Sequence, residues 1–416
     1  MSKRTYFSII ACFIIIFLVG LNMLQADSDY DLELWSYYSG GHNQAIDTFN
    51  ETSSYNMKFT GIAADNYTTK LDAAMSSGDL PDIIMVDSND LGRYIENDQF
   101  LDFNTVFLND PQYDDYTQHA SVYGLNIGEI NGKQKAIKFE NTSSVFAYRS
   151  DLASECLSIN SPEEMNQVTS NYVSYNTMYE SLQSSSNPMC SNLSLFATNE
   201  YTNYLLNPNN VYGEGGFTPN LVEWLDWVKN NIDSKLVYSR FGNYHELIDE
   251  SNQSVFLGDI TTVNQLRNFY DFNQPGKWAI AQTPIDYQGN TSYFMISKDA
   301  NIDAVREFFL STYFNEEWLV DNINEIGIIE NGYVMDNSDF NILDFNSYFT
   351  NDDYQETLNQ ASIENINGNN DNVTKYDYGI RNTITGVTNE YIDNKISREE
   401  IVPKATEDLS IFYEEI

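Results

Sequence analysis

The run Pro81-Asp82-Ile83-Ile84-Met85-Val86 constrains this chain more than any other stretch. Four large apolar residues in succession, three of them β-branched, suit a strand covered on both faces, because a half-solvated strand would alternate with polar residues. Just upstream, Leu71, Ala74 and Met75 share one helical face over Tyr67 to Ser77, and Gly78 follows as the stop. Before that come two more strand candidates. Leu32-Glu33-Leu34-Trp35 is followed by a helical stretch that includes Ala45 to Phe49, and Met57 to Ile62 alternates. The order strand, helix, strand, helix, strand predicts an α/β sheet built on parallel strands.

The pattern recurs downstream. Ser144 to Tyr148, Trp278 to Ala281 and Tyr293 to Ile296 read as strands, the last two flanking a loop with Gly289. Ser161-Pro162-Glu163-Glu164 reads as a helix start, with Ser161 as cap and Pro162 in the first turn. Leu221, Trp224, Leu225 and Val228 lie at helical spacing, as do Ile380, Ile384, Val387 and Tyr391 between Tyr376 and Asp393. Helices are also expected over Ala304 to Phe314 and Arg398 to Tyr413. There is no repeat of fixed period. The stretch Tyr172 to Asn210 is rich in Ser, Asn and Tyr and carries no clear pattern. NINGNNDN, residues 365–372, faintly resembles a calcium loop, but its spacing fails at the first ligand position and at the bidentate Glu.

With 416 residues the chain exceeds one compact core, so two domains are expected. The hydrophobic share of 42% provides ample core material, which argues against intrinsic disorder. The net charge of -40 argues against nucleic acid as a partner, since binding it needs clustered Lys and Arg. It also disfavours anionic lipid and leaves neutral or cationic ligands, although such acidity is equally the habit of some secreted proteomes. Two cysteines beyond the N-terminal run, Cys156 and Cys190, permit a disulfide in an oxidising location. With His42, His119 and His245 as the sole histidines, metal catalysis has little support, and no cofactor is expected.

Residues 1–26 read as a targeting segment. Lys3 and Arg4 precede an apolar run from Tyr6 to Leu24, then Leu24-Gln25-Ala26 stands before acidic Asp27. The reading is a secretory signal with cleavage after Ala26. At about 1.5 Å per residue the run nearly spans a bilayer, so an uncleaved N-terminal anchor is the alternative. Cys12 makes a formal lipoprotein box with Ile9-Ile10-Ala11, but it falls too early in the run.

Several segments in order carry a resemblance. They are LELWSYYSGGHNQAIDTFN, NYTTKLDAAMSSGDLPDIIMVDSNDLGRYIENDQFLDF, INGKQKAIKFENTSSVFAYRSDL, VFLGDITTVNQL with GKWAIAQTPI, and YDYGIRNTITGVTNEYIDNKISREEIVPKA. Together they resemble the extracellular solute-binding proteins of ABC importers, family 1, in the maltose-binding-protein-like, sugar-binding branch. The resemblance implies an α/β, two-lobed periplasmic-binding-protein-like fold with a hinge and an interlobe ligand cleft. Residues 29–138 plus 290–335 would form the N-terminal lobe, and 139–289 plus 336–416 the C-terminal lobe. Crossings are expected near Lys138 to Asn141, Pro284 to Ser292 and Tyr333 to Asn346. The implied role is capture of a small-molecule ligand, a carbohydrate, by an exported monomer, and its delivery to the transmembrane subunits of an ABC permease, without catalysis.

In open α/β sheets the ligand lies beyond the carboxyl ends of the strands. That rule selects Trp35, Tyr37, Tyr38, Gly40 and Gly41 after the first strand, and Asp87, Asn89 and Asp90 after the third. Glu140 and Asn141 follow at the first crossing. Carboxylates and amides match the paired donors and acceptors of sugar hydroxyls, and aromatic rings stack on the apolar face of a pyranose. Paired glycines let the backbone approach closely. The second lobe would add Asp259 and Thr261 from the LGDITT turn, and Tyr376 and Asp377 from the start of the late helix. No Trp stands beside those positions, where the family often carries one, so a sugar smaller or more polar than a maltodextrin is expected. Each residue also has a plain structural reading. Trp35 could be core, Asp87 and Asp90 could merely cap the next helix, and Asp259 could be a turn residue. Two rivals remain: an exported glycoside hydrolase with paired cleft carboxylates about 5–10 Å apart, and a polyamine or peptide binder of the same architecture.

Overall fold

The computed structural model describes residues 30–37, 42–120, 122–139, 144–169, 180–182, 184–191, 194–195, 211–213, 216–232, 254–255, 258–259, 278–282, 292–326, 357 and 377–412. The N-terminal segment, most of the Ser/Asn/Tyr-rich middle, NINGNNDN and the Tyr333 to Asn346 crossing lie outside that set.

The chain begins with strand β1 (Leu32–Ser36), helix α1 (His42–Thr52), β2 (Met57–Gly61), α2 (Ala64–Ser77), β3 (Ile83–Asp87) and α3 (Ser88–Tyr94). The predicted alternation is present, with β2 ending one residue early, β3 shifted to Ile83–Asp87 and the start of α2 moved upstream. The α2 helix starts three residues before Tyr67, because Ala64-Asp65-Asn66 lacks apolar periodicity yet lies in the helix's exposed first turn. Gly78 ends α2 with φ 81° and donates its N–H to the Ala74 carbonyl, a left-handed cap that a Cβ would strain. Two short helices follow, α4 (Phe103–Val106), capped by Asp102, and α5 (Pro111–His119), capped by Asp110 with Pro111 in its first turn. After α6 (Val122–Gly128), β4 (Glu129–Ile130) and β5 (Lys133–Gln134) close a hairpin on Asn131 and Gly132, both at positive φ.

The next strand, β6 (Ile137–Lys138), returns to the first sheet. Beyond it lie β7 (Ser144–Arg149), α7 (Ser150–Leu157), α8 (Pro162–Thr169) and α9 (Pro188–Ser191). Ser161 Oγ accepts the Glu164 N–H at 3.3 Å, as its predicted cap role requires. Short strands β8 (Ser194–Leu195), β9 (Tyr212–Gly213) and β10 (Gly216–Phe217) precede α10 (Pro219–Ile232). Then come β11 (Ser254–Val255), β12 (Gly258–Asp259), β13 (Trp278–Gln282) and β14 (Ser292–Ile296). The chain ends with α11 (Ile302–Ser311), α12 (Glu316–Ile326), α13 (Asp377–Ile392) and, after a 3-10 turn at Arg398–Glu400, α14 (Ile401–Phe412). The α11 helix stops at Ser311, short of the expected Phe314, where Thr312 leaves helical geometry and residues 312–314 turn.

Two sheets result. The first has order β2-β1-β3-β14-β6, with β1 parallel to β2 and β3 and with β14 antiparallel to β3 and β6. Its two faces bury different side chains of the same strands. Leu34, Ile83, Met85, Phe294 and Ile296 face a core with Phe49, Phe308 and Phe309, while Ile84, Val86, Tyr293 and Met295 face a second core with Leu71, Leu91 and Tyr94. Every residue of Ile83 to Val86 is therefore buried, as the run of apolar residues predicted. The second sheet is antiparallel, in the order β12-β7-β13. Disulfide Cys156–Cys190 links α7, which follows β7, to α9. A separate helical core joins α10, α13 and α14 through Leu221, Trp224, Leu225, Ile380, Ile384, Val387, Tyr391 and Leu409.

The sequence segments that join the sheets attach side by side at both ends. In the first sheet, the Phe139 N–H donates to the Ser292 carbonyl at 2.8 Å. In the second, Gln282 pairs with Val145.

Candidate functional site

The carboxyl ends of β1 and β3 and the start of β14 meet at one edge of the first sheet. Tyr37, directly after β1, reaches across it. Its hydroxyl lies 2.6 Å from Ser292 Oγ and, more loosely, 3.3 Å from Asp87 Oδ2. A carboxylate only accepts, so the proton order runs from Ser292 to Tyr37 to Asp87. Asp87 and Ser292 are also direct partners in the β3–β14 ladder. The Tyr37 ring is half-buried and meets the buried Tyr67 ring edge-on at 5.5 Å, and the Tyr67 hydroxyl donates to the Trp35 carbonyl at 3.1 Å. This aromatic bracket holds the end of β1. Desolvation pushes the Tyr67 phenol well above its ordinary range, so it remains a donor.

A dry polar layer lies beneath that edge. His42 opens α1 and is fully buried. Its Nδ1 pairs with the Tyr313 hydroxyl at 3.1 Å, and its Nε2 with Met85 Sδ at 3.0 Å. Ser36 Oγ donates to the same sulfur at 3.4 Å. The rings of Phe139 and Phe294 pack against the imidazole at 4.9 and 5.9 Å. Desolvation lowers the His42 pKa from 6.5 to about 3, so the ring is neutral at ordinary pH.

Some expected site residues are brought together here, and others are not described. Trp35, Tyr37, Asp87 and Asp90 gather at this edge. Trp35 is half-buried against the second core, which fits the structural role as well as the binding one. Asp90 lies in the first turn of α3 and faces Arg93 Nη1 at 3.8 Å. Tyr38, Gly40, Gly41, Glu140, Asn141, Thr261 and Tyr376 lie outside the described residues, as do the side chains of Asn89, Asp259 and Asp377. The backbone at Asp259 corrects one expectation. It belongs to β12, not to a turn, because Asp259 finds a ladder partner in Ser144, at the point where the chain enters the second sheet. Asp377 opens α13, as predicted, and α13 lies against α3, the helix that follows Asp87.

Ser292 and His42 were not among the expected site residues. Nothing in the local sequence marks Ser292, which joins the edge through the β3–β14 ladder and a contact to Tyr37 across 255 positions. His42 directly follows the glycine pair, a signal that could have drawn attention to it. No group of three or more His, Cys, Asp or Glu able to hold a metal ion occurs among the described residues.

Comparison with known proteins accords with this architecture. The chain is similar in structure to the sugar-binding protein MalE from Xanthomonas citri, at TM-score 0.66 and 12% identity over 92% of this chain and 99% of that one. It is also similar to an ABC substrate-binding protein from Listeria monocytogenes in complex with cycloalternan, at TM-score 0.65 and 16% identity over 91% and 97%. A third relative is an ABC transporter associated binding protein from B. animalis subsp. lactis in complex with beta-1,6-galactobiose, at TM-score 0.64 and 15% identity over 92% and 97%. At these identities the likeness shows the two-lobed α/β fold. A search of curated sequences found no match. The family model for bacterial extracellular solute-binding proteins matches residues 44–362, roughly three quarters of the chain. This chain belongs to the bacterial extracellular solute-binding proteins, a family that binds its substrates without catalysing their conversion.

Proposed function

We propose that this protein captures a mono- or oligosaccharide outside the cytoplasm and delivers it to the permease of an ABC importer. The observation that carries the reading is the Tyr37–Asp87–Ser292 edge. An aromatic ring, a carboxylate and a hydroxyl stand together at the carboxyl ends of parallel strands, where open α/β sheets bind ligands. Their chemistry suits a pyranose, with a ring face for its C–H groups and polar atoms for its hydroxyls. Solved relatives hold cycloalternan and beta-1,6-galactobiose, which supports a saccharide.

The N-terminal lobe, residues 29–138 plus 290–335, presents Trp35, Tyr37, Tyr38, Gly40, Gly41, Asp87, Asn89 and Asp90. The C-terminal lobe, residues 139–289 plus 336–416, presents Asp259, Thr261, Tyr376 and Asp377, with Glu140 and Asn141 at the crossing. Ligand binding closes the lobes by hinge bending, to the extent that the ligand favours the closed state. The protein works as a monomer, is exported by its N-terminal segment, is tethered at the cell surface, and has no catalytic step.

Isothermal calorimetry against a saccharide panel, with polyamines and peptides alongside, tests the reading. Saccharide binding is expected. Polyamine heat without saccharide heat replaces the ligand class, and turnover of a chromogenic glycoside, lost on changing one edge carboxylate, makes the protein an enzyme instead.

A further inference from the structure

We infer that Thr383 sets the strength of ligand binding from the seam between α3 and α13, as a positioning residue whose buried hydroxyl opposes closure of that seam. The inference rests on the binding role proposed above.

The seam joins two bodies. The α3 helix follows Asp87 directly and packs on the first sheet through Leu91 and Tyr94. The α13 helix belongs to the separate helical core with α10 and α14, and it also lies against α3. Among the described elements, α14, α3 and α10 are the ones that α13 packs against most closely. A helix turns by about 100° per residue, so Ile380, Ile384, Val387 and Tyr391 form one stripe, and that stripe faces α10 and α14. Gly379 and Thr383 lie on one flank of the stripe and are buried. Gly386 and Glu390, further along the same flank, are not. The cover over that flank therefore ends after the first half of α13. The described neighbour left to supply it is α3, which is itself only seven residues long.

The Thr383 side chain does not suit a permanent interior. The residue is 2% exposed, and its Oγ1 has no hydrogen-bond partner. A helical threonine ordinarily donates to the carbonyl four residues back. Thr388 does so to Ile384 at 2.6 Å on the same helix, and Thr406 does so to Val402 at 2.9 Å on α14. Thr383 makes no such bond to Gly379. A hydroxyl buried without a partner loses water and gains nothing in exchange. With the seam open, water satisfies it; with the seam closed, nothing does. Thr383 thus weighs against the closed seam and keeps the empty site accessible. A ligand held between the two bodies must overcome that bias, so its apparent affinity falls with the fraction of empty molecules that are closed.

The test is Thr383→Val in the full chain, which exchanges the hydroxyl for a methyl group of similar volume. Thr383→Ser keeps the hydroxyl and serves as the control, and Thr383→Ala removes it with less bulk should valine pack badly. Small-angle scattering of the ligand-free proteins should show Thr383→Val more compact than the parent and Thr383→Ser unchanged. Calorimetry with the saccharide that the panel identifies should show Thr383→Val binding about fivefold more tightly, and Thr383→Ser no more tightly than the parent. A higher melting temperature in Thr383→Val with unchanged affinity or unchanged compactness would make the hydroxyl a mere core defect and overturn the inference. Weaker binding by both Thr383→Val and Thr383→Ala overturns it too. If the parent takes up no saccharide, the functional reading fails, and scattering then decides on the seam by itself. Contraction of ligand-free Thr383→Val upholds the bias, and an unchanged profile ends it.

Discussion

Asp82 and Asp87 flank the same strand and lead different lives. At the amino end of β3, Asp82 accepts the Glu33 N–H at 2.8 Å and, more loosely, the Asn301 N–H at 3.4 Å, stitching β1 and the start of α11 to the sheet. Burial pushes its carboxyl above the usual carboxylate range, while those amides pull it back down. At the carboxyl end, Asp87 lies 3.3 Å from the Tyr37 hydroxyl and pairs with Ser292 in the ladder. The same residue type thus serves structure at one end, and at the other lies where a ligand's hydroxyls would arrive. In a chain with 61 acidic residues, abundance says nothing about function. Backbone amides of the fold hold Asp82, whereas a tyrosine hydroxyl at the ligand-facing edge reaches Asp87.

The contrast can be tested in order of expected effect. The largest concerns His42, the dry floor of the carboxyl end. An unfolded histidine takes up a proton near 6.5, whereas the folded ring resists until about 3. The unfolded state binds more protons in that window, so the neutral ring's contribution, whole above about 6.5, is lost as pH falls toward about 3. The slope is about 1.4 kcal/mol per pH unit. Urea denaturation from about pH 7 to about pH 4 should show His42→Gln losing less stability on acidification than the parent. Equal slopes would mean that the ring is solvated. Next in size, Asp82→Ala should cost about 2 kcal/mol of stability, from two lost amide bonds to a charged acceptor, and leave saccharide affinity unchanged. Last, Asp87→Ala should cost less than about 1 kcal/mol of stability but weaken saccharide binding about tenfold. If Asp82→Ala weakens binding in its folded form, or Asp87→Ala unfolds the chain, the division between the two ends is wrong.

The first sheet and the late helix α13 were readable because their signals are local. The run Ile83 to Val86, the cap at Gly78 and the stripe Ile380, Ile384, Val387 and Tyr391 each depend on residues within a few turns, and each stands where expected. The site was readable only in part. The rule that ligands lie at carboxyl ends placed Tyr37 and Asp87 on one edge, but not the hydroxyl that joins them to β14, because such a contact depends on tertiary pairing. His42 escaped notice for a related reason. A histidine at a helix start reads as exposed and polar, and only the packing of Phe139, Phe294 and Tyr313 around it makes it core. Asp259 shows the opposite failure: Gly258-Asp259 has turn chemistry, but a partner strand overrides local preference.

The Cys156–Cys190 bond has a consequence for the order of events in the cell. It closes a loop across a separation of 34 positions, for which chain entropy gives about 3–4 kcal/mol of stabilisation. A reducing cytoplasm withholds that contribution, and an oxidising exterior supplies it. For an exported protein of this family the chain is therefore at its least stable before it leaves the cytoplasm, and the bond can lock it only in the oxidising location outside.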